Sequence, residues 1–222
     1  MPILNKNIRR NRHVIHVPVQ QLAVGNVLLT ALTLTEGTPN TLNTSTVTFG
    51  GFTAAAAIIQ QINSTGETGL KMSTDGNAIL YDWLVPLNLD AAHPVRLRVN
   101  WVTESTTSAH GALWTITRKA YTRSSGSAAG TALSATVSTA LDTAIVADTV
   151  GGTNAAYQLN TTAPGVINPG SLTPGEHQTL KIAMTTKTGA TDIWLRGIEI
   201  EYVPVYSGQD GAVGAVIDST WS

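Results

Sequence analysis

The 222-residue sequence predicts an all-β protein, an antiparallel jelly-roll β-sandwich with an extended N-terminal arm and a small N-terminal β-rich region. Three observations carry that expectation. From about Lys71 onward, apolar residues recur with a period of two, the spacing at which successive strand side chains point to opposite faces. These alternating segments are frequent and are broken by clusters of Gly, Pro, Asn and Ser, as in sandwiches and jelly rolls. Threonine fills 33 positions, and a β-branched residue suits a pleated, half-exposed surface.

Taken in order, residues 1–26 read as an arm that mixes basic residues, asparagines and scattered β-branched residues. Pro18 keeps Val17 away from helical geometry, and residues 13–19 are extended in character but too short to stand alone, so they must lie on something. Residues 27–69 form a small β-rich attachment region. Segments 27–34 and 44–49 are β-rich, separated by the turn-prone Glu36, Gly37, Thr38, Pro39 and Asn40. Further along, four alanines precede Ile58, Ile59 and Ile62, whose spacing predicts one face of a short helix over 52–63.

Residues 70–204 form the jelly-roll domain. Ile79, Tyr81, Trp83 and Val85 share one strand face, with Asp82 on the other. Val95, Leu97, Val99 and Trp101 alternate with Arg96, Arg98 and Asn100, the pattern of a half-buried strand. Trp114 and Ile116 share a face, as do Leu180, Ile182 and Met184; Trp194, Ile198, Ile200 and Tyr202 alternate with Glu199 and Glu201. The stretch 132–150 predicts two strands with a turn near Leu141 and Asp142, because nine of its nineteen residues are Thr, Ser or Val. Residues 160–175 are a long loop carrying Pro164, Pro169 and Pro174, and 205–222 is a small-residue tail that ends near Trp221.

Composition narrows the chemistry. Charged residues make up 12% of the chain, half of the roughly 25% usual for a soluble domain. Cysteine is absent, which removes disulfides, thiolate nucleophiles and zinc knuckles together. A net charge of −1 gives no global attraction for nucleic acid or an anionic membrane, and neither is expected as a partner. The longest apolar run, 54–59, is six residues, far below the ~20 that span a bilayer. No secretory signal pattern is present in the first 20 residues, so synthesis in a cytoplasm as a soluble chain is expected. With 42% apolar residues the chain should fold, burying roughly 70% of its unfolded surface.

Several side chains invite a chemical role, and each has a plainer one. His13 and His16 would pair as ligands on a helix, but in an extended segment they point to opposite faces. His93, His110 and His177 lie beside prolines and glycines, where surface loops are expected. Ser124, Ser125 and Ser127 lack the Gly-x-Ser-x-Gly elbow of a nucleophile. Glu199 and Glu201 on one strand face are about 7 Å apart, inside the window for a glycosidase pair, yet their alternation with apolar residues argues for a solvated outer face. Asp75 precedes Gly76 and Asn77 in a turn pattern without the spaced oxygens of a calcium loop. Asn43, Asn63 and Asn160 match the glycosylation acceptor pattern by chance in a Thr-rich chain. Trp83, Trp101 and Trp114 fall on apolar faces and read as core, not as a sugar platform. No catalytic residue, cofactor site or metal site is expected, and the chain is not read as an enzyme.

The order of segments is informative. Asp82, Trp83, Leu84, Val85 and Pro86 end one strand; a basic-alternating strand ending in Trp101 follows, then a Trp114 strand and a Thr/Ala/Val middle. A Leu-Lys-Ile-Ala-Met strand over 180–184 comes next, and the closing strand ends Leu195, Arg196, Gly197, Ile198, Glu199, Ile200, Glu201, Tyr202. Over roughly residues 70–204 this resembles the jelly-roll modules of tailed-bacteriophage virion proteins, including capsid decoration (cement) proteins and head or tail fibre components. The resemblance implies a structural protein of the virion with core packers as its residues of interest. The expected role is capsid decoration: binding between major capsid subunits at the capsid surface and stabilising the head. The alternative is a tail fibre, baseplate or head-fibre module that contacts host glycans.

Charge placement gives that expectation residues. Lys6, Arg9, Arg10 and Arg12 stand in residues 1–35 without an acid, whereas Glu199, Glu201, Asp210 and Asp218 stand in 199–222 without a base. Ile3, Leu4, Ile8, Val14 and Ile15 interleave with the basic residues, which suits docking on protein better than on nucleic acid. Lys6, Arg9, Arg10 and Arg12 are therefore the expected contacts to an acidic capsid surface or to the acidic terminus of a neighbouring subunit. Trp221 is the expected anchor in a neighbouring subunit or virion protein. Self-association as a homotrimer would supply avidity.

Overall fold

A computed structural model describes residues 12–18, 47–49, 52–56, 58–62, 67–121, 129–130, 138–150, 156–189 and 192–205. Lys6, Arg9, Arg10, Trp221, Asn43, Asn63, Ser124, Ser125 and Ser127 lie outside them. All regular structure among the described residues is β. The strands are β1 (His13–Pro18), β2 (Val47–Phe49), β3 (Phe52–Ala56), β4 (Ile58–Gln61), β5 (Thr68–Met72), β6 (Asn77–Leu84) and β7 (Val95–Thr103). They continue with β8 (Gly111–Tyr121), β9 (Thr139–Ala140), β10 (Asp148–Thr149), β11 (Leu159–Thr161), β12 (Gly165–Ile167), β13 (His177–Thr188) and β14 (Ile193–Tyr202).

Two sheets form, antiparallel except where β3 runs parallel to β6. In the first, β14 is central. One of its edges pairs with β7; the other is shared by β5, opposite residues 193–195, and β1, opposite 197–202. The far edge of β7 is likewise shared, by β11 and β12. Between those two short strands Thr162 bridges the gap, accepting from Val99 N–H at 3.0 Å through its hydroxyl and donating its own N–H to Val99 O. In the second sheet, β13 lies between β6 and β8.

The alternation seen in the sequence packs the sheets face to face. Val95, Leu97, Val99 and Trp101 of β7 and Ile198 and Ile200 of β14 meet Ile79, Trp83, Trp114, Ile116, Leu180, Ile182 and Met184 of the second sheet in one core. Trp83, Trp101 and Trp114 are all buried there. The result is a β-sandwich.

Four local expectations change. Residues 160–175 are not a single long loop: β11 ends within them and β12 lies within them, both paired with β7. Residues 52–63 do not form a helix: β3 joins β6, and β4 forms a hairpin with β5, closed by Ile62 N–H donating to Glu67 O at 2.7 Å. Alanine favours helix, but two adjacent β-branched isoleucines facing an available strand reverse that weak preference. The expected 69/70 boundary thus falls inside β5. The stretch 132–150 holds two strands, but they do not turn back on each other. β9 and β10 both pair with β8, and the segment between them swings across to the first sheet. There Thr143 and Val166 exchange backbone hydrogen bonds of 3.1 and 2.8 Å. Leu141 and Ile145 are buried under that crossing, and Gly165 is what admits them: a Cβ there would lie 2.5 Å from Leu141 Cδ1.

The fourth change is Trp194. A register shift between Leu195 and Gly197 marks a bulge in β14, so Trp194 does not share a face with Ile198 and Ile200. It packs with Ile62 and Val102 in a separate cluster instead.

Candidate functional site on the outer face of the first sheet

Beyond the bulge, Glu199 and Glu201 of β14 face outward while Ile198 and Ile200 face the core. Because β14 is flanked by β1 and β7, each carboxylate lies between polar side chains from both sides, Arg12 and His16 at β1 and Arg96, Arg98 and Asn100 on β7. On β7 the alternation puts Arg96, Arg98 and Asn100 on that same face, with Glu201 opposite Arg96 and Glu199 opposite Arg98. Residues directly opposite or diagonal in a ladder are the ones that touch.

Glu201 gathers three guanidiniums. Arg12 Nη1 donates to its Oε1 at 2.6 Å, Arg98 Nη1 donates to Oε2 at 3.3 Å, and Arg96 Nη1 stands 3.6 Å from Oε1. The carboxylate side chain is only 10% exposed, and the arginine side chains are each about a third exposed. Glu199 accepts from Asn100 Nδ2 at 3.1 Å and has His16 Nδ1 at 3.6 Å. Asn100 Oδ1 in turn accepts from Thr161 Oγ1 of β11 at 2.7 Å. A polar ladder therefore crosses four strands, with three arginines against two glutamates.

This arrangement binds strands together and leaves a cationic surplus on the face. Both glutamates have oxygens engaged by β1 and β7 neighbours, which suits a structural ladder better than a general acid and base, and Glu201 is buried by its arginines where a solvated face was expected. Of the expected contact residues, Arg12 falls within the described part. It meets the acidic residue of its own last strand, which is the acidic terminus of the charge pattern, within one chain.

Other candidates resolve individually. His93 Nδ1 is 2.9 Å from Asp90 Oδ2, and His177 Nδ1 is 3.8 Å from Asp82 Oδ2. His13 stacks edge-on against Tyr202. His110 Nδ1 lies 2.7 Å from Ser105 Oγ, which also accepts from Thr107 N–H. That contact closes the turn between β7 and β8, and no carboxylate is bonded to His110 to orient it as a catalytic base. Asp75 Oδ1 accepts from Lys187 N–H at 2.8 Å, tying a turn to β13. Asn160 donates to Gln158 O. Among the described residues no three His, Cys, Asp or Glu side chains group as metal ligands do.

One carboxyl has a distinct environment. Asp148 of β10 accepts from Trp101 Nε1 at 2.7 Å across the interior. Burial holds its carboxyl above the ordinary carboxylate range, and the hydrogen bonds from Trp101 and the Thr149 backbone pull it part of the way back. Burial, and then the charge of Asp82, likewise raises Tyr81.

The sequence matches no known protein-family model and no curated protein.

Proposed function

We propose that the chain is a structural protein of a bacteriophage virion with a jelly-roll fold, a capsid decoration (cement) protein that binds between major capsid subunits and stabilises the head. The observation that supports the reading most is the order in which strands pair. From β5 onward the first strand pairs with the last, β5 with β14; then β6 with β13; then β7 with β11 and β12; then β8 with β9 and β10. Successive members of that series alternate between the two sheets. This order supports a jelly-roll reading, in which a double-stranded ribbon is rolled up, an architecture that recurs in capsid proteins. The segment order that resembles phage virion modules points the same way.

Attachment follows from β1. Residues 13–18 are fixed on β14 by six register pairs, with Val17 buried, and lead directly back to Arg12, Arg10, Arg9 and Lys6. A basic segment that precedes a sheet-bound strand would engage an acidic neighbour, and such contacts give orientation and rate of association. Self-association as a homotrimer would multiply that contact.

The test removes residues 1–11 and keeps β1. The truncated protein should melt as the full chain does and lose its binding to capsids that lack it, measured by co-sedimentation. Truncated protein that still decorates capsids at full occupancy overturns the reading.

A further inference from the structure

The inner face of the second sheet is apolar at one end and polar at the other. Its rows, set by register, run Ile79–Ile182–Ile116, then Tyr81–Leu180–Arg118, then Trp83–Gln178–Ala120. Gln178 is fully buried on this face, and neither its Oε1 nor its Nε2 has a protein hydrogen-bond partner. Directly opposite, buried Trp83 has an unpartnered Nε1, and diagonal to Gln178 the Nε of Arg118 is buried and unpartnered too. Arg118 is not free to turn away, because its Nη1 donates to Ser171 O at 3.2 Å.

Residues opposite or diagonal on one face of a sheet stand within reach of a shared small molecule. Buried amides and indoles left unpaired are costly, and folded proteins rarely tolerate three together. The chemistry of the set is specific. Trp83 and Arg118 can only donate, while Gln178 offers two donors and one acceptor oxygen. A small uncharged guest that both accepts and donates suits the set: one water molecule can accept from two of these donors and donate to the amide oxygen. A carboxylate would fit the donors but clash electrostatically with the amide oxygen, and a cation would face Arg118.

We propose that Trp83, Gln178 and Arg118 form an internal hydration site, holding long-lived water between the sheets at the end closed by the loop that carries Ser171. The water accepts from Trp83 Nε1–H and Arg118 Nε–H and donates to Gln178 Oε1. It thereby links β6, β13 and β8 to that loop. Trp114 provides a control within the same molecule: its Nε1 is also buried and unpartnered, but its register neighbour is Met184 and the adjoining row is isoleucine.

The experiment is a water–protein cross-relaxation measurement on the uniformly ¹⁵N-labelled full chain, reading the indole N–H signals of Trp83 and Trp114. A water cross-peak at Trp83 with the sign of a bound molecule, and none at Trp114, is the expected result. In Gln178→Leu the Trp83 cross-peak should vanish. If that variant does not fold, the wild-type contrast between the two indoles still decides. Absence of a bound-water peak at Trp83, an equal peak at Trp114, or a Trp83 peak that persists in folded Gln178→Leu overturns the proposal.

Discussion

Replacing Trp101 by Phe tests how the two sheets are tied through their interior. Trp101 is fully buried on β7, and its indole N–H reaches Asp148 on β10 of the opposite sheet at 2.7 Å. Phe keeps an aromatic ring there but has no donor. A hydrogen bond to a charged acceptor contributes about 1.5–3 kcal/mol, and the partial exposure of Asp148 argues for the lower end, about 1.5 kcal/mol. The smaller ring leaves unfilled volume that adds about 1–2 kcal/mol. Together the loss at neutral pH is about 3 kcal/mol, or roughly 6–12 °C in melting temperature for a chain of this size.

The pH dependence gives the sharper signature. Asp148 is held above its ordinary value by burial, so the folded state binds its proton more tightly than the unfolded state does. Its contribution to stability is therefore full below the unfolded pKa and is lost as pH rises through the folded one. The Phe variant lacks the indole bond that opposes the rise, so its Asp148 is raised further and its stability falls more steeply toward neutral pH. The gap between variant and wild type should be about 3 kcal/mol near pH 7 and shrink to about half that near pH 3, where the carboxyl is protonated in both. Urea unfolding followed by far-ultraviolet circular dichroism across that range measures it. A gap of constant size at every pH would refute the assignment of the bond to an ionised Asp148.

Three further substitutions probe the outer face and the first strand. Glu201→Gln removes the anion that Arg12, Arg96 and Arg98 share; with side chains about a third exposed the cost is about 1–2 kcal/mol, whereas Arg12→Ala costs about 0.5 kcal/mol because two cations remain. Melting in low and high salt should show the Glu201→Gln deficit changing with ionic strength, and a salt-independent deficit would count against the ladder. Gly197 has φ +156°, and a Cβ there would lie 2.4 Å from Val17 O. Gly197→Ala should thus loosen β1 from β14, raising amide hydrogen exchange across 13–18 while β7 keeps its protection; unchanged exchange in β1 would contradict the close approach.

Much of this architecture was legible because period-two alternation survives wherever one strand face is core and the other is not. β7 is the clearest case, from Val95 to Trp101. What alternation cannot carry is a register break: the bulge after Leu195 moved Trp194 to the outer face, and no spacing rule registers one added residue. The alanines of 52–56 misled because propensity is weak where a partner strand is available. The ladder on the outer face was half visible. Arg-x-Arg at 96–98 and Glu-x-Glu at 199–201 each showed as an outward face, and their opposite signs were a signal that the two strands are neighbours. Gln178 was missed, although it interrupts the otherwise apolar series Leu180, Ile182, Met184 at its first position. A neutral amide in such a series draws less notice than a charge.

The pairing of β1 with β14 has a mechanical consequence. His13 stands opposite Tyr202, and just beyond that rung Val203 O accepts from Asp90 N–H and Val205 N–H donates to Asn88 O. A load applied to the segments that precede His13 and follow Tyr202 first meets the two hydrogen bonds to residues 88–90 and then opens the six pairs in turn, like a zipper, since those pairs are not loaded all at once in shear. The sandwich would be weakest to tension in this one direction, however well its core is packed. A contact that grips both segments together would hold the zipper closed, and tension would then fall on the sheets.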